Sequence, residues 1–185
     1  MKAIAVGYYH VFNRGCNQEA IFFSDDNYIH LLHLIHRFIP PSVNIVAYCL
    51  MPNHYHMLLK STDSSGISRF LQRTFNAYTQ AVNRQRERSG TLFEGRARGI
   101  VVDDEKYAIY LCRYIHLNPV AAGIVSSPLE WPYSNYAEFV GKRQGTLCDR
   151  RFLEAHCGNA AAYEVFVMSR LAEATAAKIA KYCAD

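Results

Sequence analysis

Two apolar segments joined by a Pro-Asn dipeptide constrain the fold of this chain more than any other feature. Residues 43–51 and 54–60 consist mainly of aliphatic, β-branched and aromatic side chains, and Pro52-Asn53 between them suits a tight turn. The pair predicts a β-hairpin whose two strands are both central and buried. The other predicted elements are placed around it.

Strand and helix patterns flank the hairpin on both sides. Before the hairpin we predict a strand at 8–12, ended by Asn13-Arg14-Gly15, and a helix from Ser24-Asp25-Asp26 to Pro40-Pro41. After the hairpin we predict a helix over about 67–88 and a strand at 98–102. A last helix runs from Asp103-Asp104 to about Asn118 and is ended by Pro119. The resulting order is β-α-β-β-α-β-α.

This order predicts an α+β fold of the ferredoxin-like (RRM-like) type, with an antiparallel sheet of four to five strands and helices on one face. We assign residues 1–140 to this domain. Residues 141–185 are predicted to form a C-terminal helical extension packed on the same domain, with helices at 151–156 and in the Ala-rich stretch 160–182. We also interpret Trp131-Pro132-Tyr133-Ser134 as part of the helical additions.

Composition excludes several classes of protein. Of the 185 residues, 50% are hydrophobic and 19% are charged, as in globular proteins and unlike disordered chains. No segment has the ~20 consecutive apolar residues of a membrane span, and Met1–Val6 is too short for a signal peptide. The six cysteines lack C-x-x-C spacing, so we expect reduced thiols. A cytoplasmic protein without a membrane partner is predicted.

Arginines are concentrated in one part of the chain. Seven of them, and no lysine, lie between Arg69 and Arg98, with only Glu87 and Glu94 as acidic residues. The planar guanidinium group matches phosphate oxygens, so the cluster suits a nucleic-acid partner. A solvated helix face explains it equally well.

A His-x-His pair opens the second hairpin strand. Residues two apart on a strand share a face, so His54 and His56 present two imidazoles together and Tyr55 points the other way, where we expect it to pack behind the strand. Two neutral imidazoles at this spacing can share one divalent metal. The alternative is a pair of partly buried histidines with ordinary hydrogen bonds.

Tyr114 and Asn118 are four residues apart on the last predicted helix and therefore lie on one helix face. The tyrosine is a candidate nucleophile, and the amide oxygen of Asn118 would complete a three-ligand metal set with His54 and His56. The alternative is an apolar stripe with Asn118 as a C-terminal cap. His30, His33 and His36 are expected at the surface or in packing, and His116 in a structural role.

These motifs resemble a known family. The segments 51–59 (MPNHYHMLL) and 114–120 (YIHLNPV), supported by 11–15 (VFNRG), 93–96 (FEGR) and 131–136 (WPYSNY), are similar to the single-tyrosine HUH transposases, nearest to their REP-associated tyrosine branch. The similarity extends over roughly residues 8–140. In this family the residue between the two histidines is usually aliphatic, and here it is Tyr55.

The resemblance implies metal-dependent nicking and rejoining of single-stranded or hairpin DNA. Carried over by motif position, His54, His56 and Asn118 would bind Mg²⁺ or Mn²⁺, and Tyr114 would attack the scissile phosphate to leave a 5′-phosphotyrosine. A bacterial, nucleoid-associated protein is implied, and both a monomer and a homodimer remain open. For DNA contacts we predict six arginines and one stacking aromatic: Arg14, Arg69, Arg73, Arg84, Arg96, Arg98 and Tyr9.

Two other functions remain. One is a catalytically silent nucleic-acid-binding relative of transposases, which would bind hairpin DNA without a covalent adduct. The other is a zinc hydrolase that uses His54, His56 and a third histidine, which leaves the Tyr114 and Asn118 pairing unexplained.

Overall fold

The computed structural model describes residues 7–63, 66–147 and 149–183, and its centre is a four-stranded antiparallel sheet. The strands are β1 (Gly7–Arg14), β2 (Val43–Met51), β3 (His54–Ser61) and β4 (Arg98–Val102), in the spatial order β2-β3-β1-β4. This order is that of the ferredoxin-like split β-α-β unit, so the predicted fold class is confirmed. The predicted hairpin forms around Pro52-Asn53, with a register shift between Ile45 and Ala47.

Seven helices accompany the sheet within the described residues. They are α1 (Asp25–Phe38), α2 (Gly66–Gln85), α3 (Ala108–Ala121), α4 (Tyr136–Phe139), α5 (Arg150–Cys157), α6 (Ala160–Met168) and α7 (Glu173–Ala180). Short 3₁₀ turns lie at Cys16–Gln18, Glu105–Tyr107 and Pro128–Glu130. The Ala-rich stretch 160–182, predicted to be helical, contains the two helices α6 and α7, because the chain leaves helical geometry after Met168.

The sheet separates two apolar cores, which corrects the expectation of helices on one face. On the first face α1 and α2 pack against alternate strand residues such as Tyr9, Val11 and Met57. On the second face α3 and the C-terminal helices pack against the other set, which includes Val46, Cys49 and Leu58. Because both faces are covered, both sets of alternating side chains are buried.

The C-terminal helices contribute large side chains to the second core. Phe152 of α5, Tyr163 and Val167 of α6, and Ile179 of α7 are buried there together with residues of α3. Residues on both sides of position 140 lie in this one core. A domain boundary at residue 140 stays a prediction.

Two local predictions were wrong. Pro119 lies inside α3 and does not end it. The proline removes one backbone donor in the last turn, while Ala122 N–H still bonds to the Asn118 carbonyl. Residues 131–135 are not helical: Pro132 and Tyr133 lie in a turn, and Ser134 forms a bridge with Cys49 of β2. Leu50 N–H donates to the Tyr133 carbonyl, and the Trp131 indole donates to the Leu50 carbonyl. This segment covers the β2 edge of the sheet.

Other expectations agree with the described residues. Cys16, Cys49, Cys112, Cys157 and Cys183 form no disulfide, while Cys148 lies outside the described part, as does the Met1–Val6 segment. His30, His33 and His36 are exposed on α1, as expected for surface histidines. In the described segments no helix has the length and hydropathy needed to cross a membrane.

Candidate active site

The two histidines of β3 lie side by side on the α3 face of the sheet. Their ring centroids are 5.1 Å apart and their planes are nearly perpendicular. Tyr55 between them points to the opposite face, where it is fully buried and stacks on Phe75 at 4.3 Å. Strand alternation therefore produces the predicted histidine pair, and Tyr55 packs behind the strand as expected.

His54 is held by the hairpin turn that precedes it. Its Nδ1 lies 2.7 Å from Asn53 Oδ1, and the Asn53 amide nitrogen donates to the Gln18 carbonyl at 3.1 Å. Because the Asn53 amide nitrogen is directed at a carbonyl, the Asn53 side-chain oxygen faces His54 and accepts a hydrogen bond from Nδ1–H. In the neutral form of the His54 ring the electron pair then lies on Nε2, the atom that a metal would use.

His56 is fully buried beneath His54. Burial, together with the neighbouring His10 and His54 rings, lowers the pKa of His56 well below its ordinary value. The ring is therefore neutral at physiological pH, which is the form that binds a metal. Its Nδ1 is 3.1 Å from Nε2 of His10, a residue of β1 that the sequence interpretation did not include in the site.

Helix α3 brings Tyr114 to the histidines. The helix packs across β2 and β3, and the Tyr114 ring meets His56 edge-on at 5.5 Å between centroids and His10 at 6.1 Å. Tyr114 is half-buried. The predicted nucleophile and the two predicted histidine ligands therefore lie in one cluster, although they come from elements far apart in the chain.

Asn118 lies one turn beyond Tyr114 on the same helix. Its amide nitrogen donates to the Tyr114 backbone carbonyl at 3.1 Å, and the side chain is half-buried. Its oxygen is the atom that a metal would use. A ligand role for Asn118 stays a prediction.

The position of α3 is secured by a buried polar network around His116. Nε2 of His116 lies 2.9 Å from Asn135 Oδ1, and Nδ1 lies 2.7 Å from the Tyr163 hydroxyl. Asn135 also accepts from Tyr48 N–H and donates to the Val46 carbonyl. The structural role expected for His116 is confirmed, whereas the Asn135 and Tyr163 partners were missed because their strand, loop and helix are distant in sequence.

A cavity of about 180 Å³ opens in front of the two histidines. Its lining is polar except for one aromatic ring and comprises Phe12, Asn13, Arg14, Gln18, Asn53, His54, His56, Glu94 and Arg98. The sheet register explains part of this set, because Phe12 pairs with His56 on one side and with Arg98 on the other. Arg14 forms an ion pair with Glu94 at the mouth of the cavity.

The structure divides the predicted DNA-contacting arginines into two groups. Arg14 and Arg98 line the cavity, and Arg96 is exposed in the loop before β4. Arg69, Arg73 and Arg84 are exposed on α2, which packs on the other face of the sheet. Contacts of all six with DNA stay a prediction, but those on α2 are not brought to the histidines.

The prediction that Tyr9 stacks on a DNA base was wrong. Its side chain is 3% exposed and belongs to the core beneath α1 and α2. Strand alternation places Tyr9 with Val11 on the face opposite His10 and Phe12, so the ring cannot meet a base without disrupting the core.

The zinc-hydrolase alternative lacks its third histidine. Within the residues described, no group of three His, Cys, Asp or Glu side chains is arranged to hold a metal ion. Besides His54, His10 also lies beside His56, but its two ring nitrogens are engaged by the Tyr182 carbonyl and by His56. The cluster instead contains His54, His56 and Tyr114, and Asn118 lies one helical turn beyond Tyr114.

Comparison with known proteins decides the family. The IS200-like transposase family matches residues 4–118, more than half of the chain. This chain belongs to that family. A Haemophilus influenzae protein described as a REP-associated tyrosine transposase is 26% identical over 103 residues, which cover 49% of this chain and 57% of the relative.

A solved structure supports the fold of this IS200-like transposase. The structure of a REP-associated tyrosine transposase bound to a REP hairpin superposes with a TM-score of 0.65 at 21% identity, covering 80% of this chain and 92% of the other. The resemblance to REP-associated tyrosine transposases drawn from the motifs is therefore confirmed.

Proposed function

We propose that this chain is a metal-dependent, single-tyrosine transposase that nicks and rejoins single-stranded, hairpin-forming DNA. The observation that carries the proposal is the contact of Tyr114 with His56, at 5.5 Å between ring centroids. Membership of the IS200-like family supports a DNA-processing role. The REP hairpin in the related solved structure supports hairpin DNA as the substrate class.

His54, His56 and Asn118 would hold Mg²⁺ or Mn²⁺ in this proposal. Two imidazoles and one amide oxygen can bind a divalent ion, and Nε2 of His54 carries the electron pair in the neutral ring because Nδ1 donates to Asn53. A bound ion would act as a Lewis acid on a non-bridging oxygen of the scissile phosphate. His54, His56 and Asn118 would in this way position the scissile phosphate next to Tyr114.

Tyr114 supplies the nucleophile. Its hydroxyl oxygen bonds to phosphorus as the bond between phosphorus and the 3′ oxygen breaks, and the proton lost by the tyrosine balances the one gained by the 3′ hydroxyl. The products are a 5′-phosphotyrosine and a free 3′ end. Attack of a 3′ hydroxyl on the phosphotyrosine reverses the step, so strands are rejoined without a nucleotide cofactor.

Arg14 and Arg98 would hold the DNA backbone beside the histidines, since both line the cavity. Arg69, Arg73, Arg84 and Arg96 would contact phosphates further from the scissile bond. Either a monomer or a homodimer is compatible with this arrangement, because all four proposed catalytic and ligand residues come from one chain.

Formation of a covalent adduct tests the proposal. The full chain is incubated with Mn²⁺ and end-labelled hairpin oligonucleotides that carry single-stranded flanks, and the products are separated under denaturing conditions. We expect a labelled protein band with wild type, none with Tyr114→Phe, and none after chelation of the metal.

Tyr110→Phe is the matched control. Tyr110 lies one helical turn before Tyr114 but packs against Phe166 of α6, so this variant should keep the adduct. Hairpin binding by wild type without an adduct, over a broad panel of hairpins, would contradict the enzyme and favour the silent DNA-binding relative.

A further inference from the structure

His10 is a buried polar residue in the middle of β1, directly behind the proposed metal ligands. Its side chain is fully buried, and both of its ring nitrogens have partners. Nδ1 contacts the backbone carbonyl of Tyr182, and Nε2 lies 3.1 Å from Nδ1 of His56. A chain of hydrogen bonds therefore runs from the C-terminal segment through His10 to His56.

Which atom donates in each of these hydrogen bonds follows from the bond between His10 and the Tyr182 carbonyl. A backbone carbonyl can only accept, so the proton of the first bond belongs to Nδ1 of His10. In the neutral His10 ring, Nε2 then carries an electron pair and accepts from His56. His56 must therefore hold its own proton on Nδ1, which leaves the electron pair on Nε2.

The alternative tautomer would be incompatible with the proposed ligand role. If Nδ1 of His56 were the acceptor, its proton would lie on Nε2 and would have to leave before a metal could bind. Ligating histidines commonly donate their other ring N–H to an oxygen or nitrogen acceptor, which also fixes the ring orientation. His54 shows the same arrangement, with Asn53 Oδ1 as the acceptor.

We propose that His10 is a positioning residue that holds His56 in the Nδ1–H tautomer, with Nε2 presented to the metal. This inference rests on the proposed function, because it takes His56 to be a metal ligand. The His10 and His56 rings lie within 18° of parallel, and the Tyr114 ring is edge-on to both of them. The His10 and His56 rings therefore form one surface against which the Tyr114 ring packs.

The first test measures the tautomer without metal or DNA. Nitrogen chemical shifts of ¹⁵N-histidine-labelled full-length protein distinguish protonated from unprotonated ring nitrogens. We expect His10 and His56 both to be neutral and protonated at Nδ1. A His56 ring protonated at Nε2, or a doubly protonated His10, would overturn the proposal.

The second test replaces His10 with a matched pair of residues. The side-chain oxygen of His10→Gln can accept from His56, whereas His10→Phe keeps the ring shape but offers no acceptor. We expect Mn²⁺ alone, measured by calorimetry, to bind 10- to 100-fold more weakly to the Phe variant and within a few-fold of wild type to the Gln variant. His56 should leave the Nδ1–H tautomer only in the Phe variant.

Failure of this inference differs from failure of the proposed function. Wild-type affinity and an unchanged His56 tautomer in a folded His10→Phe protein would overturn the role of His10, even if the DNA adduct forms. If His10→Phe does not fold, the wild-type His56 tautomer and the Mn²⁺ affinity of His10→Gln still test the role of His10. A wild type that has the expected tautomers and binds Mn²⁺ but forms no adduct would contradict the transposase proposal alone.

Discussion

At the scale of single residues, Tyr55 and Tyr78 show how differently two buried hydroxyls can be accommodated. Both side chains are fully buried in the core beneath α1 and α2. The Tyr78 hydroxyl donates to the Ile21 carbonyl at 2.6 Å, whereas the Tyr55 hydroxyl has no hydrogen-bond partner among the described residues. Burial alone raises the pKa of Tyr55, so the phenol remains neutral.

We predict opposite effects when the two hydroxyls are removed. Tyr78→Phe loses a buried hydrogen bond and leaves the Ile21 carbonyl without this donor, which should cost about 1–2 kcal/mol of unfolding free energy. Tyr55→Phe removes an unsatisfied polar group and should leave that free energy unchanged or raise it by about 1 kcal/mol. Urea unfolding of the two variants and wild type measures the difference. Equal destabilisation would show that Tyr55 has a partner.

At the scale of elements, the position of α3 decides whether the site exists. The helix carries Tyr114 and Asn118, but its attachment depends on His116, whose ring is buried and bonded to Asn135 and Tyr163. Asn135 directs its amide nitrogen at the Val46 carbonyl, so its oxygen accepts from Nε2–H of His116 and Nδ1 accepts from Tyr163. The network requires a neutral His116.

This requirement predicts a pH dependence of stability. Burial lowers the pKa of His116 from 6.5 to about 4, against a smaller opposing effect of the Asn135 hydrogen bond. Between these values the unfolded chain binds a proton that the folded chain does not, so the unfolding free energy decreases as the pH falls from 6.5 to 4. The full shift corresponds to about 3 kcal/mol.

Comparison with His116→Gln isolates this contribution, because other groups also titrate in the same range. The difference in unfolding free energy between wild type and the variant should decrease as the pH falls from 6.5 to 4. Denaturant unfolding at several pH values measures it. A difference independent of pH would mean that His116 binds protons equally in both states.

At the scale of the whole molecule, the C-terminal helices are part of the core that carries the site. Tyr163 and Val167 of α6 and Ile179 of α7 are buried against the same face of the sheet as α3. This part of the chain also takes part in two buried hydrogen bonds: the Tyr163 hydroxyl donates to His116, and the Tyr182 carbonyl accepts from His10.

We therefore predict that residues 1–140 do not fold as the full chain does. Truncation after Val140 exposes apolar side chains of α3 and leaves two buried histidines without these partners, which combines two strongly destabilising effects. Thermal unfolding followed by circular dichroism should show no cooperative transition for the truncated chain. A truncated protein with the same thermal unfolding midpoint as the full chain would contradict the prediction, because it would show that the extension is not needed for the stability of the domain.

Much of the fold followed from local patterns. Alternation on the hairpin predicted that His54 and His56 share a face with Tyr55 behind them, and the i, i+4 spacing placed Tyr114 and Asn118 on one helix face. These predictions depend on backbone geometry over a few residues, which the order of residue types reveals directly. The prediction for Tyr9 was wrong for a related reason. The alternation of side chains along β1 is visible in the sequence, but the sequence does not show which face of β1 lies beneath α1 and α2.

The sequence by itself determined the order of the elements, the types of side chain available for chemistry, and the family to which they point. Only the tertiary structure decided that α3 crosses the face carrying the histidines, that the register places Phe12 between His56 and Arg98, and that His10 joins His56 to Tyr182. The reason is physical. Register and packing depend on contacts between distant residues, and His10 and Tyr182 are 172 positions apart.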